Sequence, residues 1–123
     1  MASPNNIQRG DVIRVNFNPV LGSEQAGERP AVVLSPTFHC QHSRVIIVAA
    51  VTSRKIEKIY PFEALLDPAE SGLPVPSKVM LTHIRSIDKT RITGHYGALS
   101  RETLARVETA LKYATGLSIL HPS

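Results

Sequence analysis

Tryptophan is absent, and tyrosine and phenylalanine number only three each in 123 residues. Any core must therefore be filled by aliphatic and β-branched side chains. One cysteine, Cys40, leaves no pair for an intrachain disulfide and fits a reducing compartment. No apolar run approaches the roughly 18 residues that a membrane-spanning helix needs. The opening Met1-Ala2-Ser3-Pro4-Asn5-Asn6 lacks the charged-then-apolar pattern of a secretory signal. The expectation is a cytoplasmic protein with no membrane contact. There is no internal repeat, linker or low-complexity tract, so the length reads as one domain over residues 9–117, with a flexible arm (1–8) and a short tail (118–123). Acidic residues are the scarcer sign: ten stand against fourteen Lys and Arg, a net charge of +4. That surplus suits a polyanionic partner such as nucleic acid. It equally suits a merely soluble surface, and charge alone leaves the two level.

Familiar chemical motifs are also missing. There is no Walker loop, no dinucleotide-binding fingerprint and no nucleophile elbow. His39-Cys40-Gln41-His42 invites a zinc reading, but a structural zinc needs about four ligands and no second cysteine exists to complete the set. A polar loop is the better reading, and no metal or cofactor is expected.

What is present is mainly β. Asp11 to Phe17 alternates apolar and polar residues, and Ala31-Val32-Val33-Leu34 is a continuous apolar run of the buried-strand kind. Val45 to Val51 is the most apolar run and reads as a central strand. Tyr60 to Leu66 reads as an edge strand because Pro61 stands near its start. Ser77 to Leu81 and a short stretch around Arg91-Ile92-Thr93 complete the strands. Phe38 to Arg44 and Asp67 to Pro76 read as loops. Arg9-Gly10-Asp11 reads as a turn into the first strand. The C-terminal helix has the clearest local signals. Ser100 is a good N-cap, Leu99 and Leu104 occupy staple positions, and Gly116 is a natural C-cap. Leu104, Val107, Leu111 and Ala114 give it one apolar face.

Between the first two strands lies Asn18 to Pro30, far longer than the about 2–5 residues of a simple hairpin loop. Long loops on a rigid scaffold often carry function. This one ends in Arg29-Pro30, where proline restricts the arginine backbone. Gly22-Ser23-Glu24-Gln25-Ala26-Gly27-Glu28-Arg29-Pro30, preceded by Arg9-Gly10-Asp11-Val12, resembles the MazF/PemK/Kid family of toxin endoribonucleases. Ala49-Ala50-Val51-Thr52 and Ile84-Arg85-Ser86-Ile87-Asp88 resemble further signatures of that family, and the likeness runs from about Arg9 to Gly116. It implies an SH3-like antiparallel β-barrel of the MazF/PemK/CcdB type with a C-terminal helix. It also implies a homodimer that cuts single-stranded RNA without metal and is held in check by an acidic antitoxin.

The resemblance assigns Arg29 and Thr52 to the active site. A guanidinium matches the oxygens of a phosphate, and a hydroxyl at a strand end can donate to one. The bland alternatives are a surface salt bridge from Arg29 to Glu24 or Glu28, and an ordinary threonine. Glu24 is the expected general base, with Ser23, Gln25, Ser53, Phe17, Asn18, Thr82 and His83 as RNA contacts. Family members that carry histidine at position 23 and an acidic residue then glutamine at 82 and 83 differ here. Ser23 cannot act as an imidazole base, and Thr82 cannot take a proton near neutral pH. His83 is the rival base, set behind Glu24 because adjacent residues on a strand face opposite ways. Arg85 and Asp88 read as a strand-end charge pair. The competing function is a non-catalytic protein- or RNA-binding module on the same barrel, as in gyrase-poisoning relatives.

Overall fold

The computed structural model describes residues 6–17 and 27–117. Among them, six strands form one antiparallel sheet in the order β4-β5-β3-β2-β1-β6. The strands are β1 (Asp11–Asn16), β2 (Glu28–Val33), β3 (Val45–Thr52), β4 (Glu63–Leu66), β5 (Ser77–Asp88) and β6 (Ile92–Ala98). Three helices are α1 (Thr37–His42), α2 (Pro68–Ser71) and α3 (Arg101–Thr115), and a 3-10 turn spans Lys89–Arg91.

The continuous apolar runs have a simple cause: the central strands are covered on both faces. Val12, Val32, Ala49 and Val51 point to one side, where Leu66, Leu81, Val107 and Ala110 join them beneath α3. Ile13, Val15, Ala31, Val33, Ile46 and Val48 point to the other, under Ile7 and the buried Cys40 of α1. Strand alternation thus divides one apolar stretch between two clusters. β3 is central, as its composition predicts, and β4 is an edge strand that begins only after Pro61.

The free edges, β4 and β6, approach each other through α2 rather than through strand pairing. A Cβ on Gly97 would stand 2.7 Å from the carbonyl oxygens of both Glu70 and Ser71. At Gly72, where φ is +78°, it would stand 2.0 Å from the Tyr96 carbonyl oxygen. Only glycine permits so close a backbone approach, and the curled half-barrel is closed along this seam.

Four expectations need correction. Phe38 to Arg44 is not all loop, because α1 occupies Thr37–His42; it has no side-chain N-cap, so no local signal marks its start. Asp67 to Pro76 contains α2, capped by Asp67 Oδ1 accepting from Ala69 N at 2.9 Å, with Pro68 in the first turn. β5 runs on past Leu81 to Asp88, and β6 extends to Ala98. Both extensions are largely half-buried or exposed, so they lack the apolar pattern that marks a strand.

α3 begins and ends as expected, with Ser100 Oγ accepting from Thr103 N at 3.2 Å and Gly116 in the left-handed conformation. Its most buried line is Thr103, Val107 and Ala110, with Leu104, Leu111 and Ala114 packed at the flanks. Glu70 of α2 adds a second cap: its carboxylate accepts from the Ser100 N–H and from Thr103 Oγ1, the latter at 2.8 Å. Burial works against the charged form of Glu70. The hydrogen bonds from Ser100 and Thr103 and the charge of Arg106 outweigh it and hold the carboxyl below its usual range.

Folded protein therefore binds this proton less tightly than unfolded chain does. Glu70 adds stability above the ordinary glutamate value, about 4.3, and loses that contribution as pH falls through the lower folded-state value. Glu70→Gln should be less stable than wild type at neutral pH by about 1 kcal/mol or more, with the gap closing in acid. Urea titrations across the pH range test this; a gap that stays constant into acid would mean that the charge of Glu70 contributes nothing.

Candidate active site

The long loop leaves and returns at one place. Asn16 pairs with Glu28 at the end of the β1–β2 ladder, and Phe17 N donates to the Gly27 carbonyl at 2.9 Å just beyond it. Residues 18–26 lie outside the described residues, and Asn18, Ser23, Glu24 and Gln25 with them. Arg29 follows on β2, exposed, opposite Val15. Glu28 does not pair with it; its carboxylate faces Arg14, 3.8 Å away.

Arg29 opens onto a cavity of about 670 Å³ in which the sheet brings together residues far apart in sequence. Phe17, Arg29, Thr52, Arg54, His83 and Arg85 form its polar and aromatic wall, over a floor that includes Ala50, Val51, Met80 and Ile84. No carboxylate lines it among the described residues. Thr52 Oγ1 accepts from the Arg54 backbone N–H at 3.1 Å. That bond uses an acceptor site and leaves the hydroxyl hydrogen for an incoming anion.

The cavity owes its shape to a fault in the β3–β5 ladder. Ala49 pairs with Ile84, yet Val51 pairs with Val79, so two steps along β3 match five along β5. The extra residues of β5 bulge. Strict alternation fails there: Thr82 and His83 are both exposed, with Thr82 Oγ1 3.3 Å from His83 Nδ1. His83 lines the cavity and Thr82 is not part of its lining. Alternation counts against His83 as a base only on a regular strand, which this stretch is not; Glu24, the expected base, lies outside the described residues.

Two arginines were not expected in this wall. Arg85 does not pair with Asp88; its guanidinium sits 4.8 Å from the centroid of the Phe17 ring, a cation–π contact that holds it over the cavity. Asp88 instead accepts from Thr90 N and Thr90 Oγ1, both at 2.9 Å, and pairs with Arg44 at 3.0 Å. Those contacts, the Thr90 N–H foremost, lower its pKa. Arg54 lies two residues after Thr52, in the bend just past the end of β3, and both line the cleft. That spacing is the signal that finds it in the sequence. Ser53 faces a neighbouring cavity of about 330 Å³ that also touches Arg29, Thr52 and Arg54.

The His39–His42 stretch is placed away from this cleft. His39 Nε2 lies 3.1 Å from the Val45 carbonyl, His42 Nδ1 lies 2.9 Å from that of Phe38, and Cys40 is buried. Burial raises the Cys40 thiol pKa, which disfavours its reactive thiolate. Among the described residues, no group of three or more His, Cys, Asp or Glu is placed to hold a metal, and no helix is long and apolar enough to cross a membrane.

Comparison with known proteins agrees with this geometry. The chain is 34% identical over 111 residues to endoribonuclease EndoA of Bacillus subtilis, covering 90% of this chain and 96% of that one. A crystal structure of MazF from Deinococcus radiodurans is 34% identical, covers 89% of this chain and 96% of that chain, and superposes with a TM-score of 0.70. The MazE–MazF complex of the same organism is 30% identical, with 92% and 99% covered and a TM-score of 0.72. Residues 8–115 match the family model described as PemK-like, MazF-like toxin of type II toxin–antitoxin system. With most of the chain matched in this way, the protein belongs to the PemK-like, MazF-like toxin family.

Proposed function

We propose that this chain is a metal-independent endoribonuclease, the toxin of a toxin–antitoxin pair, which cuts single-stranded RNA in the cleft between β2, β3 and β5. The observation that carries the reading is the wall itself: three arginines and the Thr52 hydroxyl around one cavity, with no carboxylate in its described lining. RNA supplies its own nucleophile. The 2′-oxygen attacks the adjacent phosphorus, the bond to the 5′-oxygen breaks as that oxygen takes a proton from solvent water, and the products are a 2′,3′-cyclic phosphate and a 5′-hydroxyl. Arg29 and Thr52 donate to the non-bridging oxygens as charge builds on them. His83, inside the cavity, takes the 2′-hydroxyl proton, and Glu24 of the loop is the rival for that role. Ser23, Gln25 and Asn18 of the loop, with Phe17, Ser53 and Thr82 at the margins, contact the RNA strand.

Cleavage should persist in EDTA, fail on an RNA with 2′-deoxyribose at the cut site, and fall about 10²–10³-fold in Arg29→Ala. An undiminished rate in a folded Arg29→Ala variant, or a wild type that binds RNA without cutting it, would refute the nuclease reading. In single-turnover pH–rate profiles, His83→Asn should lose the ascending limb near neutrality. A limb that survives there and vanishes in Glu24→Gln would return the base to Glu24.

The protein also acts as a homodimer in this reading, through the exposed start of β3, on the face that α3 covers further along. Val45 and Ile47 are 40% and 43% exposed there, beside an apolar groove formed with Leu34, Pro36, Ile84 and Leu111. A symmetric pair would cover one self-complementary patch of this kind. An acidic antitoxin segment, ordering as it binds, would compete with RNA for the basic cleft; MazE with MazF from Deinococcus radiodurans is a related complex. The buried, unpaired Cys40 fits a reducing cytoplasm. Light scattering should find a dimer in the wild type and a monomer in Ile47→Lys. A wild-type monomer at micromolar concentration would remove this part of the proposal.

A further inference from the structure

Lys78 of β5 stands opposite Thr52 of β3 and Leu65 of β4, and its side chain is only 5% exposed. A buried ammonium needs its charge balanced and its three donors used. Both conditions are met. Nζ lies 2.9 Å from Glu63 Oε1, and it donates to the carbonyls of Lys55 at 3.0 Å and Lys58 at 3.1 Å. Glu63, 8% exposed, also accepts from Tyr60 N at 3.1 Å. One ion pair therefore fastens the β3–β4 connection (residues 53–62) at three backbone points. Lys55 within it has φ +54°, a conformation non-glycine residues seldom adopt and that persists only where its surroundings enforce it.

The residue presented by this pinned turn is Arg54. Three concavities meet at Thr52 and Arg54: the cleft with Arg29 and Arg85, the one beside Ser53 and Tyr96, and one bounded by Tyr60 and Lys78. Among the described residues, the Arg54 guanidinium has no hydrogen-bond or ion-pair partner; only its backbone N–H is engaged. Two concavities adjoin the cleft at Thr52, and Arg54 borders both.

We propose that Arg54 binds the RNA phosphodiester next to the one being cut, and that the buried Lys78–Glu63 pair is the positioning device that presents it there. The inference rests on the RNA-cleaving reading of the cleft. The test is nevertheless independent of cleavage. Binding of a short fluorescein-labelled 2′-O-methyl RNA of mixed sequence, which has no free 2′-hydroxyl to attack, is followed by anisotropy over a range of salt.

Each phosphate neutralised on a single strand contributes about −0.7 to the slope of log K against log salt. Arg54→Gln should flatten the slope by about that amount and weaken binding about tenfold at low salt, whereas Arg54→Lys should keep the slope. Lys78→Met/Glu63→Leu, which leaves no orphaned buried charge, should flatten the slope equally. Adding Arg54→Gln to that pair should change it no further. Glu63→Gln, the milder change, should give an intermediate slope and serves if the double variant does not fold. An unaltered slope in Arg54→Gln would overturn the phosphate site. A full slope in the folded double variant, or in Glu63→Gln, would overturn the positioning role. A wild type that binds this RNA steeply yet cuts no unmodified RNA of the same sequence would refute the nuclease reading alone.

Discussion

The cleft depends on a mismatch in strand pairing. Between Ala49 and Val51 the β3 chain advances two residues while β5 advances five. A regular ladder would have laid β5 flat along β3 and left no room between them. The bulge instead places His83 in the wall of the cleft, sets Met80 and Ile84 around the gap with Ala50, and lets β5 resume pairing in time for Arg85 to reach Phe17. Bulges re-aim side chains without breaking a sheet. This one does so between two interior strands of the sheet, where the two apolar clusters hold both flanks in register.

On that scaffold the charges are sorted. Among the described residues, three carboxylates are engaged away from the cavity: Glu28 with Arg14, Glu63 with Lys78, Asp88 with Arg44 and the 3-10 turn. Arg29, Arg54 and Arg85 are left facing one cavity. Like charges held together raise the free energy of the unliganded protein, and an anion that enters relieves them. Arginine suits this better than lysine, because its fork of donors matches phosphate oxygens and it keeps its charge in a partly dry site. The proposed RNA cleavage would need electrostatic stabilisation at this cavity more than a nucleophile, since the attacking oxygen would belong to the substrate.

Much of this was legible in the residues. The two-sided burial of β2 and β3 was written in their unbroken apolar runs. α3 was written in Ser100, Gly116 and a helical stripe. Arg29 and Thr52 were marked by the loop and by the motif around each. What escaped did so for physical reasons. α1 has no side-chain cap, and the second half of β5 has an exposed face that imitates a loop. Arg85 looked like a partner for Asp88, three residues away, because sequence proximity hides that Arg44 comes closer in space. The bulge is a property of two strands together and leaves no mark on either. α2 is the exception: Asp67-Pro68 is a helix-start signal, obscured by the prolines that follow it.

Lys78 shows why a stability argument alone would misread this protein. Replacing a buried ion pair by apolar residues of similar size is often neutral or favourable for stability. Val79 and Leu81, its neighbours in β5, show what the local core readily accepts. An ammonium at position 78 is therefore poorly explained as a stabiliser of the sheet. It is better explained by what an apolar side chain could not do. Leucine cannot donate to two carbonyls and a carboxylate at once, and without those bonds nothing in the core reaches out to hold Lys55 in its left-handed turn. Lys89 makes the useful contrast. Its buried Nζ donates to the Cys40 carbonyl at 2.7 Å, securing the short helix α1 on the opposite cluster. Both lysines use a buried charge to fasten backbone that apolar packing cannot grip. Only Lys78 does so beside the cleft, where the segment it fastens carries an arginine to the point at which the three concavities meet.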